Sequence, residues 1–213
     1  FDDDLFKTNF NDLWLIPTAE VPLTNFHRDE IIDSTSLPLR YTSFTNCFRS
    51  EAGAAGKDTK GLMREHQFGK VELVSIAEPV NSMSEMERMI ECVEMILKKL
   101  SIPYRLVELC SGDLGFSSSY TVDVEVWMPG QKKFREVSSC SNCKEFQARR
   151  MKMRAKNHNT GEIYYPHTLN GSSIAVGRIL ISVIENYQQE DGSITVPDIL
   201  KNYMKGITSI GNK

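Results

Sequence analysis

The chain has 213 residues and a formal net charge of −3, with 40% hydrophobic and 25% charged residues. This composition is typical of a globular domain, and the length is sufficient for one domain with a sizeable core. The charge gives no indication of a nucleic-acid-binding protein, and no apolar run is long enough to span a membrane. Five cysteines without a framework spacing favour a reducing, cytoplasmic environment over a set of disulfides.

Short strand-like runs dominate the chain, and two helices interrupt them. The expected strands are residues 13–16, 42–49, 65–76, 104–109, 121–128 and 133–139. A first helix is expected over 82–100, where apolar residues recur at helical spacing and Ser82 with Glu85 forms a capping box. A second is expected over 172–187, with the Asn-Gly-Ser at 170–172 as its start signal. Without regular strand–helix alternation, these elements predict an α+β fold, a mostly antiparallel sheet flanked by helices.

The stretch TNCFRSEAGAAGKDTKGLMREHQFGKVELV, residues 45–74, carries charges of both signs inside a predicted hairpin. Side chains alternate between the two faces of a strand, so the polar residues of each strand fall on one face and the apolar residues on the other. When the two strands pair, their polar faces form one continuous surface. This surface, the polar floor, contains Arg49, Glu51, Arg64, Phe68 and Glu72.

Two interpretations of this floor are open. It is a solvated sheet face with cross-strand ion pairs, or it is a surface on which a nucleotide lies. Two arginines suit bidentate recognition of phosphate or carboxylate, and Phe68 suits stacking on a base. The long, small-sided turn at 51–61 is typical of a mobile loop over a ligand. Neither GxxxxGK[ST] nor GxGxxG occurs, so a phosphate loop at a helix start is not expected.

Five blocks of the sequence resemble one enzyme family. FRSEAGAAGKDTKGLMREHQFGKVELV (48–74) resembles motif 2 of the class II aminoacyl-tRNA synthetases, in the form of their bacterial seryl-specific branch. WLIPTAEVPL (14–23) resembles the serine-binding TAE loop of that branch, and HTLNGSSIAVGRILISVIENYQ (167–188) resembles motif 3. GDLGFSSSYTVDVEVWMPG (112–130) and FREVSSCSNC (134–143) resemble the two blocks between them. The order of the blocks is also that of the family, which makes the resemblance specific.

The resemblance implies the class II fold and the ATP-dependent activation of L-serine to seryl-adenylate. It further implies transfer of serine to tRNA(Ser), and to tRNA(Sec) in a host that has this tRNA, by a cytoplasmic homodimer. The tRNA-binding helical hairpin and motif 1 of the family would lie before Phe1. Residues 1–213 are therefore expected to form a single catalytic domain cut from a longer protein.

The resemblance also implies roles toward ATP. Arg49 bridges the serine carboxylate and the α-phosphate, Glu51 accepts from the adenine amino group, and Arg64 meets the γ-phosphate. Phe68 stacks on one face of adenine and Arg178 on the other. The three arginines are the implied catalytic residues. The implied ATP-binding set is completed by Ser50, Glu136, Val137, Ser138 and Ser139.

Toward serine, the resemblance implies that Thr18, Glu20 and Glu72 receive the ammonium and the hydroxyl group, with Ser172 helping at the hydroxyl. A site built to bond a hydroxyl group rejects alanine strongly, because its polar groups are then left unpaired. The implied serine-binding set is completed by Ala19, Arg49 and Asn170.

Glu136 and Ser139 are implied to hold Mg²⁺, for which oxygen ligands and few protein contacts are suitable. Two residues three apart cannot share a face of a regular strand, so a bulge is expected between them. The alternative, from the residues alone, is a plain polar strand end. Cys140 and Cys143 have no second pair at ligand spacing, so zinc is not expected.

Three functions compete: a serine-activating catalytic core, a non-catalytic synthetase-like binding protein, and a homologue that charges a carrier protein. The presence of all three arginines, the metal pair and the serine set favours the first. Residues 117–123, SSSYTVD, depart from the family, which usually has small residues followed by lysines there. That departure affects local contacts and not the core chemistry.

Overall fold

The computed structural model describes residues 2–52 and 63–211. In the described part of the chain the strands are β1 Ile31–Asp33, β2 Leu39–Phe48, β3 Gln67–Ala77, β4 Tyr104–Glu108, β5 Tyr120–Met128, β6 Lys133–Asn142, β7 Arg154–Lys156, β8 Ile163–Tyr164, β9 His167–Ala175, β10 Ile194–Thr195 and β11 Ser209–Ile210. The α-helices are α1 Glu20–Thr24, α2 Ser82–Lys99, α3 Phe146–Arg150, α4 Val176–Tyr187 and α5 Asp198–Lys201. Short 3₁₀ turns cover Asp2–Asp4, Asn25–His27, Ser34–Ser36 and Pro79–Asn81.

A six-stranded sheet forms the centre of the molecule, in the order β2-β3-β9-β6-β5-β4. Every neighbouring pair in it is antiparallel. A smaller sheet of β1, β7 and β8 and a two-stranded ribbon of β10 and β11 lie outside it. The expected antiparallel sheet with flanking helices is therefore the observed fold.

Helices α2 and α4 cover one face of this sheet, the back face, and bury the main core. Helix α2 contributes the stripe that its apolar spacing predicts, with Met86, Met89, Val93 and Leu97 all at most 1% exposed. The strands meet this stripe with β-branched residues, among them Val122, Val124 and Val126. Burying each such side chain stabilises the fold by about 1.5–3 kcal/mol, which holds the sheet rigid behind its open face.

The opposite face, the front face, is covered by apolar residues only at one end. There Val74 and Ile76 of β3 are buried against Ala19, Leu23 and neighbouring side chains of the front layer. The rest of the front face carries mostly polar side chains, together with Phe68, and lies open as a cleft.

The hairpin of β2 and β3 has the predicted face assignment. Cys47 pairs with Phe68, Thr45 with Lys70, and Ser43 with Glu72, so alternate residues of both strands share the front face. The covering loop expected within 51–61 falls almost entirely at residues 53–62, outside the described residues.

The predicted start of the second helix is wrong. Residues 170–172 lie in the middle of β9, which pairs with β3 on one side and β6 on the other, and α4 begins at Val176. Gly171 faces α2, where a Cβ atom would lie 2.7 Å from Cys140 Sγ and 3.2 Å from the Met89 methyl group. The glycine therefore permits close packing of a central strand and does not begin a helix.

Two further local predictions are wrong. Ser82 and Glu85 form no capping box, because the Ser82 hydroxyl donates to the Pro79 carbonyl and the Glu85 carboxylate pairs with Arg40 and Arg88. Residues 13–16 form no strand but only an isolated bridge from Trp14 to Lys7. In the first case the long-range ion pair with Arg40 uses the carboxylate that the local pattern assigned to the cap.

The expected bulge near Glu136 is confirmed. Asp123 pairs with Ser139 and Val124 with Ser138, but the next residue, Glu125, pairs with Glu136. None of the helices in the described part of the chain is long and apolar enough to cross a membrane.

Candidate active site

The open front face forms a cleft of about 140 Å³ above strand β3. Phe68, Lys70 and Glu72 follow one another on this face at the strand period of two, so the cleft has an aromatic end and a buried charged end. Seven predicted site residues besides Phe68 line it, namely Arg49, Glu51, Arg64, Glu136, Val137, Ser172 and Arg178. Of these, Glu136 and Val137 lie at the bulge of β6.

Arg49 lies directly after β2 and bridges the two ends of the cleft. Its guanidinium carbon is 5.3 Å from the centroid of the Phe68 ring, and its Nε donates to the Pro17 carbonyl at 3.3 Å. The backbone N–H of Arg49 bonds the His66 carbonyl at 3.0 Å, which continues the ladder past the strand end. These contacts orient the fork, and within residues 2–52 and 63–211 its terminal N–H groups form no hydrogen bond, so they are available to an anion.

The charged end is a compact buried network. Lys70 and Glu72 form an ion pair through Glu72 Oε2, and their side chains are 7% and 2% exposed. Thr18 Oγ1 donates to the same carboxylate oxygen at 3.0 Å and accepts from Lys70 Nζ at 2.8 Å. Thr18 precedes α1 and also accepts from the backbone N–H of Glu20 at 3.1 Å, so the turn and the sheet are joined here.

Glu20 provides a second carboxylate beside this network. Gln147 Nε2 of α3 donates to Glu20 Oε1 at 2.6 Å, and the Thr168 hydroxyl donates to Gln147 Oε1 at 2.7 Å. Burial raises the pKa of Glu20, the bond from Gln147 opposes that rise, and the charge of Glu72 adds to it. Glu20 is thus held in one orientation in an environment that suits a cationic partner.

A second cleft, of about 380 Å³, adjoins the first at Glu136 and extends over β5 and β6. Glu20, Asp123, Ser139 and Asn170 are among the residues that line it. The Glu136 side chain is 48% exposed. Desolvation by the surrounding protein raises its pKa, and the charge of Arg178 opposes this rise. Because of the bulge, Glu136 and Ser139 both reach the front face, as predicted for a metal pair.

Asp123 lies opposite Ser139 across the strand pair. Burial raises the pKa of Asp123, and a hydrogen bond from Ser139 opposes the rise. Its Oδ1 atom is buried and, among the described residues, accepts no hydrogen bond. A buried oxygen without a donor is costly unless a ligand completes it.

Arg178 stands in the first turn of α4 on the far wall of the first cleft. Its Nη1 donates to the Glu136 carbonyl at 2.9 Å and lies 3.8 Å from Glu136 Oε1. The Glu65 carboxylate lies over the same turn, where a Cβ atom on Gly177 would be 2.8 Å from Glu65 Oε2. The helix start thus brings Arg178 to the cleft beside Gly177, whose backbone is covered by the Glu65 carboxylate.

Two predicted ATP-binding residues pair with each other. Arg64 Nη1 donates to Glu51 Oε2 at 2.7 Å, so the arginine expected at the γ-phosphate and the carboxylate expected at adenine form an ion pair. Ser50 faces the amino-terminal segment, because its N–H bonds the Asp4 carbonyl at 3.0 Å and its hydroxyl donates to the Asp3 carbonyl. The polar groups of Ser50 are thus used within the protein.

Three other predicted site residues have buried side chains, and of these Val137 lines the first cleft, whereas Ala19 and Ser138 line neither cleft. Ala19 is fully buried in the front-layer core, and Val137 is 1% exposed in the back-face core. The Ser138 hydroxyl donates to the Ser172 carbonyl, which ties β6 to β9.

The two cysteines near the site are buried thiols in different surroundings. Burial raises the pKa of Cys140 to about 12 and that of Cys143 to about 11. Cys143 Sγ accepts from Asn170 Nδ2 at 3.5 Å, whereas Cys140 Sγ lies beside Gly171 on the back face. Metal binding requires the thiolate, which this burial disfavours.

A model of the tRNA synthetase class II core domain (G, H, P, S and T) matches residues 4–187. The chain belongs to this family. The "Serine--tRNA ligase" of Paramagnetospirillum magneticum is 60% identical over 211 residues, covering 99% of this chain and 50% of the relative. The chain spans about half the length of the curated relatives it matches.

Solved structures of class II core domains superpose on the whole chain. The seryl-tRNA synthetase of Pyrococcus horikoshii complexed with ATP has a TM-score of 0.95 and 46% identity, over 100% of this chain and 47% of that one. The cytoplasmic Serine-tRNA ligase of Naegleria fowleri in complex with AMP has a TM-score of 0.92 and 36% identity, over 100% of this chain and 50% of that one. The resemblance seen in the sequence and the class II fold are therefore confirmed.

Three residues of this class II site were missed as site residues from the sequence. Lys70 and Asp123 had a usable signal, because strand parity puts each of them on the front face with predicted site residues. Gln147 had none, since it reaches Glu20 from a helix 127 residues further along the chain.

Proposed function

We propose that this chain is the catalytic core of a serine–tRNA ligase. An oxygen of the serine carboxylate attacks the α-phosphorus of ATP, the bond from that phosphorus to the bridging oxygen breaks, and pyrophosphate leaves. A ribose hydroxyl at the 3′ end of tRNA(Ser) then attacks the carbonyl carbon, and AMP leaves. The names of the relatives support serine as the amino acid, and the ATP and AMP complexes of the two structural relatives support the nucleotide.

The observation that carries the proposal is the order of side chains along β3. Phe68, Lys70 and Glu72 share the front face, and Arg49 spans from the Phe68 ring toward the charged end. A base stacked on Phe68 and an amino acid bonded to Glu72 would therefore meet beside Arg49. Holding two anionic reactants in this geometry, with their charge neutralised, would supply most of the rate, without a covalent enzyme intermediate.

At the nucleotide end, Phe68 and Arg178 would hold the two faces of adenine. Arg64 and Glu51, which pair with each other at 2.7 Å, would separate to meet the γ-phosphate and the adenine amino group. ATP binding would thus exchange one partly exposed ion pair for two ligand contacts, which costs little because such pairs are weak. Of the remaining members of the predicted ATP-binding set, Glu136 and Ser139 would act through Mg²⁺, and Ser50, Val137 and Ser138 would support the cleft from within the fold.

At the amino-acid end, the Glu20 and Glu72 carboxylates would receive the serine ammonium and hydroxyl groups. Ser172 lies opposite Glu72 on β9 and would help at the hydroxyl group. Asn170 lines the second cleft next to Glu20 and would bound the amino-acid site. Enclosure by the front-layer core would exclude threonine by size.

Mg²⁺ fits the junction of the two clefts. Glu136 and Ser139 offer hard oxygen donors on one face, and the buried, unpaired Oδ1 of Asp123 lies beside them. No set of three or more His, Cys, Asp or Glu side chains arranged to hold a metal occurs among the described residues. When bound, Mg²⁺ would neutralise phosphate charge, while Glu136 and Arg178 orient each other.

The wider assignments belong to the whole protein. Residues 1–213 would act as a single catalytic domain of a cytoplasmic homodimer whose other parts bind tRNA. Serine would also be loaded onto tRNA(Sec) where the host has that tRNA.

Amino-acid-dependent ATP–pyrophosphate exchange on the full-length protein tests the proposal. Serine is expected to support exchange, and alanine, glycine and threonine to support far less. Exchange followed by charging of tRNA(Ser) would complete the assignment. Exchange without tRNA charging would indicate charging of a carrier protein, and nucleotide binding without exchange would indicate a non-catalytic binding protein.

A further inference from the structure

Lys70 has no role in the proposed reaction, yet it is more enclosed than either arginine of the polar floor, Arg49 or Arg64. The residue is 5% exposed and sits between Phe68 and Glu72 on the front face of β3. Long cationic side chains are rarely buried unless they are paired. Two of the three N–H groups of its ammonium group point to acceptors inside the protein, Thr18 Oγ1 at 2.8 Å and Glu72 Oε2.

The Thr18 hydroxyl group is fully used by this network. A hydroxyl group has one donor and two acceptor positions. The donor goes to Glu72 Oε2, and the acceptors take Lys70 Nζ and the Glu20 N–H. Thr18 thus joins Lys70 to Glu72 and has no further position for a ligand. Both side-chain contacts of Glu72 in the described part of the chain reach Oε2, so under the proposed function Oε1 would be the oxygen that receives the substrate donor.

Charge explains why the lysine is needed. Glu72 is 1% exposed, and an ionised carboxylate at such a site is very costly without a cation in contact. Lys70 is its ion-pair partner among the described residues. With Lys70 in place, Glu72 acts as an acceptor of fixed orientation. Without it, the carboxylate has no cation to hold it and is free to turn away from the position of the serine hydroxyl group.

We propose that Lys70 is a positioning residue that determines selectivity for the serine hydroxyl group. It acts through Glu72 and Thr18 and not by contact with the serine side chain. This inference rests on the proposed function and adds a residue to it. It follows that removal of Lys70 lowers the preference for serine over alanine while the nucleotide end, at Phe68, is little affected.

A double-mutant cycle in the full-length protein tests this. The variants are Lys70→Met, Glu72→Gln and the two together, and the measurements are kcat/KM for serine and for alanine, and KM for ATP, in pyrophosphate exchange. We expect Lys70→Met to lower the serine-to-alanine ratio by about 100-fold and to change KM for ATP less than about twofold. In the Glu72→Gln background the same change should alter the ratio less than about threefold, because the group that Lys70 orients is already gone.

Folding is controlled within the same set. Each single variant leaves one buried charge unpaired, whereas the double variant leaves none and should recover thermal stability. Lys133→Met, at an exposed position of strand β6, is the matched control and should behave as the wild type. If Lys70→Met does not fold, the comparison of Glu72→Gln with the double variant still decides, since no further loss of selectivity is expected there.

Two results would overturn the inference. One is a further large loss of selectivity in the double variant, which would mean that Lys70 contacts the substrate directly. The other is an equal loss toward serine and ATP in Lys70→Met, which would mean a general structural role. Absence of serine-dependent exchange in the wild type would instead refute the proposed function itself.

Discussion

Arg49 is the residue on which the proposed chemistry depends most, and replacing it by lysine tests that dependence. Its Nε is engaged by the Pro17 carbonyl at 3.3 Å, and its guanidinium carbon lies 5.3 Å from the Phe68 ring centroid. Lysine keeps the positive charge but has neither the Nε donor nor the planar fork. The Arg49→Lys variant therefore loses the contacts that orient the cation, while the net charge of the cleft stays the same.

The size of the effect follows from the hydrogen bonds that a lysine cannot form at this position. An ammonium group without the Pro17 tether makes about one directed bond fewer to the reacting anions than the tethered fork. A hydrogen bond to a charged group contributes about 1.5–3 kcal/mol. If that bond strengthens as the phosphorus becomes five-coordinate, adenylate formation slows by about 10- to 150-fold, whereas the ground-state affinities for serine and ATP change less.

Single-turnover formation of adenylate at saturating serine and ATP measures this rate directly. Arg149→Lys is the matched control, because Arg149 is 54% exposed and forms a surface ion pair with Glu145. Its rate should equal that of the wild type. A normal rate with weakened binding in Arg49→Lys would make Arg49 a ground-state clamp and refute the proposed role. A normal rate of adenylate formation together with normal binding of serine and ATP would mean that the charges of the hairpin form a solvated sheet face.

Three other outcomes are expected. Phe68→Ala should weaken ATP by about 1–3 kcal/mol, the range for base–aromatic stacking, with little change in KM for serine; an unchanged KM for ATP would contradict the stacking role. KM for serine should rise as the pH falls toward the raised pKa of Glu20, because protonation removes the countercharge of the serine ammonium group. Glu20→Gln should remove this pH dependence. If the pH dependence persists in this variant, another group is responsible for it. Glu85→Ala should lower the free energy of unfolding by about 2 kcal/mol in urea titrations, because it leaves Arg40 and Arg88 without their shared carboxylate; a loss below about 0.5 kcal/mol would show that the network is only a surface ion pair.

Strand parity and helical period came directly from the sequence. The alternation in residues 67–77 was sufficient to put Phe68 and Glu72 on one face, because the side-chain period of a strand is fixed at two whatever surrounds it. The buried face of α2 could also be predicted from the sequence, since an amphipathic helix must bury its apolar side. The bulge beside Glu136 needed the family resemblance as well, because only the implied metal pair required two residues three apart to share one face of the strand.

Elsewhere the tertiary structure decided. Strand β9 is paired on both sides and packed against α2, so its small residues show neither alternation nor helical period, and only the approach of Cys140 to Gly171 explains them. The Thr18 bonds to Lys70 and Glu72, the Gln147 bond to Glu20 and the Arg64–Glu51 pair join polar groups whose partners depend on which segments the fold brings together. A sequence determines which face each side chain takes, because that is local geometry. Which buried charges meet on that face is determined by long-range pairing, because a buried charge is stable only where the fold supplies its partner.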